Sequence, residues 1–139
     1  MRGRRLERNG ILIIDDCYNS NPDAARMMLE LLRDTPARRR IAVLGEMLEL
    51  GRWSEPLHRE IGGAAAGCGV SLLVGIRGAA RCMVDAAVEA GLDGRSAYFF
   101  EDPTEAGGLV RAEAREGDVV LFKGSRGTRV EKALEEFLR

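Results

Sequence analysis

Three stretches of this chain bring reactive residue types close together. The first is Asp15-Asp16-Cys17-Tyr18-Asn19-Ser20-Asn21-Pro22. The second is Val43-Leu44-Gly45-Glu46-Met47-Leu48-Glu49-Leu50-Gly51, with Leu57-His58-Arg59-Glu60-Ile61-Gly62 downstream. The third is Leu121-Phe122-Lys123-Gly124-Ser125-Arg126-Gly127. An acidic pair can accept hydrogen bonds or hold a cation. A lysine offers a point charge, and an arginine a planar fork for a carboxylate. Asn21-Pro22-Asp23 reads as a helix start, whose free N–H groups and positive dipole end suit an anion. Lys123 is one of two lysines among 21 basic residues, so lysine is not the default cation here.

Several chemistries are excluded by what is missing. No G-x-x-x-x-G-K-[ST] cradles a phosphate, and Gly45 and Gly51 are spaced wrongly for a dinucleotide fingerprint. The single histidine, His58, falls within a helical stretch without an obvious serine or cysteine partner, which argues against a catalytic triad. An acidic pair after the first strand and a lysine after the last also occur in receiver domains. There, however, the third strand must be followed by a phosphoacceptor Asp, and here that place reads Leu73-Val74-Gly75-Ile76. Cys17, Cys68 and Cys82 form no C-x-x-C pair and read as reduced core thiols of a cytoplasmic protein. A net charge of −1 gives no field for nucleic acid. No apolar run is long enough to span a membrane, and the basic N-terminus lacks a signal peptide's apolar core.

The elements that must position these motifs follow from periodicity. Ile11 to Ile14, Ile41 to Leu44, Leu72 to Val74, Tyr98 to Phe100 and Val119 to Phe122 are continuous apolar runs, as in strands covered on both faces. Helical period fills the intervals: Ala25, Met28, Leu29 and Leu32 in the first, then about 55–67, 79–90, 104–115 and 129–138. Asp102-Pro103-Thr104-Glu105 and Thr128-x-x-Glu131 read as capping boxes, and Gly69 and Gly91 as helix stops. Asn9-Gly10 predicts a hairpin joining a further, antiparallel strand at Arg4 to Arg8. The expected fold is therefore α/β, a three-layer Rossmann-like domain. Its mostly parallel sheet has five to six strands, with helices on both faces. Ligands of such sheets bind beyond the carboxyl ends of the strands, where all three motifs fall.

Taken in order, the motifs resemble the C-terminal domain of the Mur ligases. The likeness is greatest to the branch that joins D-alanyl-D-alanine to UDP-N-acetylmuramoyl-tripeptide. That branch carries D-D-x-Y-N-A-N-P, V-L-G-D-M-L-E-L-G with a later L-H-R-E, and K-G-S-R. The departures are Ser20 for the usual Ala and Glu46 for the usual Asp. The resemblance spans about Arg4 to Leu138. It implies that residues 1–10 end an interdomain hinge and form the first strand, that 11–139 are the domain proper, and that N-terminal and central domains are absent.

Such enzymes use ATP to convert a carboxylate to an acyl phosphate, which an amine then attacks. The resemblance implies that ATP and magnesium are held mainly by the absent central domain, and that this fragment holds no metal or catalytic group of its own. It assigns Asp15 or Asp16 to the ribose, Tyr18, Asn19 and Asn21 to the border of the nucleotide, and Arg5 of the Arg4-Arg5 pair to the phosphates. Arg77, Lys123, Gly124, Ser125 and Arg126 would hold the carboxylate of D-alanyl-D-alanine. The expected partners are ATP, UDP-N-acetylmuramoyl-tripeptide, D-alanyl-D-alanine and the chain's own missing domains, with a monomeric state. Plainer readings stand beside these: Asn21 as a helix cap, Arg77 as a solvated loop residue, the Glu46–Gly51 loop as core packing, and His58 as a packing or helix-surface residue. The competing functions are a stand-alone nucleotide- or metabolite-binding module and a related folylpolyglutamate-type ligase domain.

Overall fold

The structure is a computed structural model that describes residues 3–139. Met1 and Arg2, part of the expected hinge, lie outside the described residues. Strand β1 (Arg4–Arg8) turns through Asn9 and Gly10, both at positive φ as a two-residue hairpin requires, into β2 (Ile11–Asp16). The chain continues through α1 (Pro22–Asp34), β3 (Arg39–Gly45), α2 (Ser54–Gly67), β4 (Leu72–Ile76) and α3 (Ala80–Glu89). It ends with β5 (Ala97–Phe100), α4 (Pro103–Glu113), β6 (Asp118–Lys123) and α5 (Val130–Phe137). The sheet order is β1-β2-β6-β3-β4-β5, and only the β1–β2 pairing is antiparallel.

Alternation along the strands divides the core in two. Ile14, Ala42, Leu44, Leu73 and Leu121 face α1, α2 and α3 on one side, while Ile13, Ile41, Val43, Val74, Val120 and Phe122 face α4 and α5 on the other. The expected three-layer sandwich is thus the observed one, and among the described residues its sheet has six strands where five to six were expected. Asn21 caps α1 by accepting the Ala24 N–H at 2.9 Å, and Asp102 caps α4 through the Thr104 N–H at 2.9 Å.

Three expectations need correction. Thr128 does not cap α5. Its hydroxyl donates to the Ser125 carbonyl inside a short 3-10 turn (Arg126–Thr128), and α5 starts after Arg129, which is left-handed at φ 58. Cys17 is buried as expected, but Cys68 and Cys82 are only half-buried. Strands β2 and β6 run on through Asp15-Asp16 and Lys123, so these charged residues belong to the ladder, where Asp16 faces Lys123, and not to the loops beyond it.

Candidate functional site

Strand order places the site. The connection leaving β2 enters α1 on one face of the sheet, while that leaving the adjacent β6 enters α5 on the other, which opens a crevice at the carboxyl ends of the strands. Five chain segments meet there. The Lys123 ammonium ties the end of β6 to Asp16 Oδ2 and to the Asn19 carbonyl, both at 2.7 Å. The Ser125 hydroxyl donates to the Glu46 carbonyl beyond β3 at 3.4 Å. Glu46 in turn accepts the Ala79 N–H at the start of α3 at 2.9 Å. A side chain at Gly78 would collide with this carboxylate, so the contact requires a glycine there. Arg77 reaches the Glu101 carbonyl after β5 at 3.2 Å and the Gly127 carbonyl after β6 at 3.4 Å.

On the β1–β2 side, Arg4, Asp15, Asp16 and Tyr18 line a cleft of about 310 Å³. Arg4 donates to Asp15 Oδ2 through Nη2 at 2.7 Å and Nε at 3.2 Å. The second oxygen, Asp15 Oδ1, is buried and receives no N–H or O–H. Tyr18 is 65% exposed despite its size. Carboxylates at the cleft wall, an uncovered aromatic ring and a guanidinium suit a ligand with hydroxyls, a flat ring and an anionic end. Cys17 beneath it is no nucleophile, because burial, aided by the Asp15 carboxylate, pushes its thiol up and keeps it protonated.

On the β3–β4 side, Arg126 is exposed and its guanidinium makes no hydrogen bond or ion pair among the described residues. Arg77 sits in the left-handed region at φ 71, a conformation that costs a non-glycine residue about 1–2 kcal/mol. Strain of this kind persists where neighbouring contacts enforce it, and here two carbonyls hold the side chain.

The sequence-derived residues are brought together with three changes of detail. Lys123 is buried at 2% exposure with its charge directed inward, and does not project from a loop. Arg4, not Arg5, enters the cleft. Alternation puts Arg5 on the opposite face of β1, where it is exposed. Asn21 is engaged as the helix cap. His58 is not a helix-surface residue but fully buried. Its Nε2 accepts the Met47 N–H at 2.8 Å, and its Nδ1 lies 2.7 Å from the Ser54 carbonyl. Met47 packs in the core, whereas Leu48 is exposed. Reading by residue type missed the part Glu46 plays in capping α3. The Arg4–Asp15 pairing was accessible from the Asn9-Gly10 turn, whose register sets Arg4 opposite Asp15. Among the described residues no group of three or more His, Cys, Asp or Glu side chains is placed to hold a metal ion. No described helix is long and apolar enough to cross a membrane.

Comparison with known proteins finds relatives along most of the chain. The family model of the Mur ligase, glutamate ligase domain, matches residues 1–126. A Mycobacterium leprae protein named UDP-N-acetylmuramoyl-tripeptide–D-alanyl-D-alanine ligase is 42% identical over 132 residues, which cover 84% of this chain and 26% of that protein. The Synechocystis protein of the same name is 28% identical over 138 residues, or 99% of this chain and 30% of its own length. The MurF ligase of Thermotoga maritima, solved in complex with ADP, superposes with a TM-score of 0.83 at 30% identity, covering 99% of this chain and 30% of that one. The chain spans about a quarter to a third of the length of these relatives.

Proposed function

The chain belongs to the Mur ligase family, and from that membership we propose that it is the C-terminal domain of an ATP-dependent ligase that joins D-alanyl-D-alanine to UDP-N-acetylmuramoyl-tripeptide. The observation that carries the reading is the assembly of all three motifs on one sheet edge around the end of β6. Two half-sites divide the work. Tyr18 offers its ring to the nucleotide base, and the carboxylates that line the cleft, Asp15 or Asp16, offer a ribose hydroxyl its acceptor. Arg4 borders the same cleft and supplies positive charge for phosphates, and Asn19 follows Tyr18 in the exposed loop beside it. Across the crevice, Arg126 with Gly124 and Ser125 receives the dipeptide's carboxylate, while Arg77 braces the loop that carries them.

When bound, ATP supplies the phosphoryl group that activates the tripeptide's carboxylate. The residues of this chain bind and orient, and none of them takes a proton from the reacting amine. On this reading the P-loop and the magnesium ligands lie in other domains of the ligase. The enzyme so completed works in the cytoplasm, where ATP and the UDP-linked precursor are found. Fusing the chain behind the corresponding preceding domains of a curated relative gives a hybrid in which the half-sites can be separated. Tyr18→Ala is expected to raise KM for ATP about tenfold, the loss of one ring contact of 1–1.5 kcal/mol. Arg126→Ala is expected to raise KM for D-alanyl-D-alanine by about tenfold or more, and to leave that for ATP unchanged. Crossed effects, or none, would refute the division.

A further inference from the structure

Lys123 is the last residue of β6 and lies across the parallel ladder from Asp16. It is 2% exposed, and the Asp16 side chain is 8% exposed. Its Nζ donates to Asp16 Oδ2 and to the Asn19 carbonyl, both at 2.7 Å. The Gly124 N–H adds a bond to the Asp16 carbonyl at 3.3 Å. One ammonium therefore holds the β2–α1 connection at its root and again at its middle.

Neutralising Asp16 alone would not require the second bond. A buried ion pair is in any case weak evidence for stability, since desolvation of two charges offsets their attraction. The Asn19 carbonyl belongs to the segment that carries Tyr18 and Asn21, and Tyr18 stands 65% exposed. An ammonium suits this place better than a guanidinium, because its compact head sends three donors in diverging directions. That accounts for a lysine at this position in a chain whose other cations, Lys132 excepted, are arginines. We propose that Lys123 is a positioning residue that fixes the loop 17–21 from beneath, so that Tyr18 and Asn19 are held ready for the nucleotide, and that it touches no ligand itself. The consequence for binding rests on the nucleotide-site reading above; the structural part does not.

Two variants of the 139-residue chain separate loop positioning from charge burial. Amide hydrogen exchange is followed at core positions Val43 and Leu121, and backbone order parameters from nitrogen-15 relaxation at residues 18–21. Lys123→Met is expected to speed core exchange and to lower the loop order parameters, because Asp16 is left buried without its cation. Asp16→Asn combined with Lys123→Met removes both charges and is expected to return the core to its original protection. The order parameters of residues 18–21 should then still fall from about 0.85 to below about 0.6, because the Asn19 carbonyl has lost its donor. Recovery of the loop together with the core would overturn the proposal. In the hybrid ligase the double variant is expected to raise KM for ATP severalfold above that of Asp16→Asn alone, which keeps the Lys123–Asn19 bond, with KM for D-alanyl-D-alanine unchanged. A raised dipeptide KM, or no change in either, would overturn the proposed consequence for binding. The relaxation and exchange measurements need no ligand, so a hybrid without turnover would count against the functional reading and leave the loop result to stand.

Discussion

The two nitrogens of His58 do different work. An amide can only donate, so Nε2, which faces the Met47 N–H, carries the lone pair, and the proton on Nδ1 goes to the Ser54 carbonyl. This neutral imidazole pins the backbone one residue beyond Glu46, whose carboxylate caps α3 and whose carbonyl meets Ser125. His58→Leu keeps the volume but leaves the buried Met47 N–H without an acceptor, which should cost about 1–3 kcal/mol in denaturant unfolding. His58→Gln, which can place an oxygen where Nε2 was, should cost clearly less. Equal losses from the two variants would mean that packing, not the hydrogen bond, sets the role of His58. At this scale the sequence identified where the chemistry gathers but not which way each charge points. Lys123 and Arg126 are three residues apart in one motif, yet one is enclosed and the other exposed. The difference arises from a tertiary partner, Asp16, 107 residues away.

Elements were legible wherever period and turn chemistry agree. The hairpin at Asn9-Gly10, the Asn-Pro and Asp-Pro helix starts and the glycine stops all fall where local rules put them. Element ends were less so. Polarity suggests that a strand has stopped, but the ladder's hydrogen bonds are made by backbone, so β2 and β6 continue through charges that neutralise each other. Helix contacts also depend on glycines that carry no periodic signal. A Cβ at Gly62 of α2 would collide with the Met83 carbonyl of α3, whereas one at Gly63 would meet nothing within 4 Å. Alanine favours a helix over glycine by about 1 kcal/mol, and overpacking costs about 1–3 kcal/mol. Gly63→Ala should therefore raise the thermal midpoint and Gly62→Ala lower it. A rise in both would show that α2 and α3 can part freely.

At the scale of the molecule, both faces of the sheet are covered by helices, but its carboxyl edge is open. The groups there orient and hold charge without providing a phosphate cradle. The chain spans about a quarter of the mycobacterial relative's length. Fold and family follow from the pattern of elements and motifs. The direct measurement is product formation by the hybrid ligase with ATP, UDP-N-acetylmuramoyl-tripeptide and D-alanyl-D-alanine, set against the preceding domains alone. The account predicts the pentapeptide product, detected by mass, only when this chain is fused. A folded hybrid that makes no product, or that accepts a single amino acid in place of the dipeptide, would contradict it.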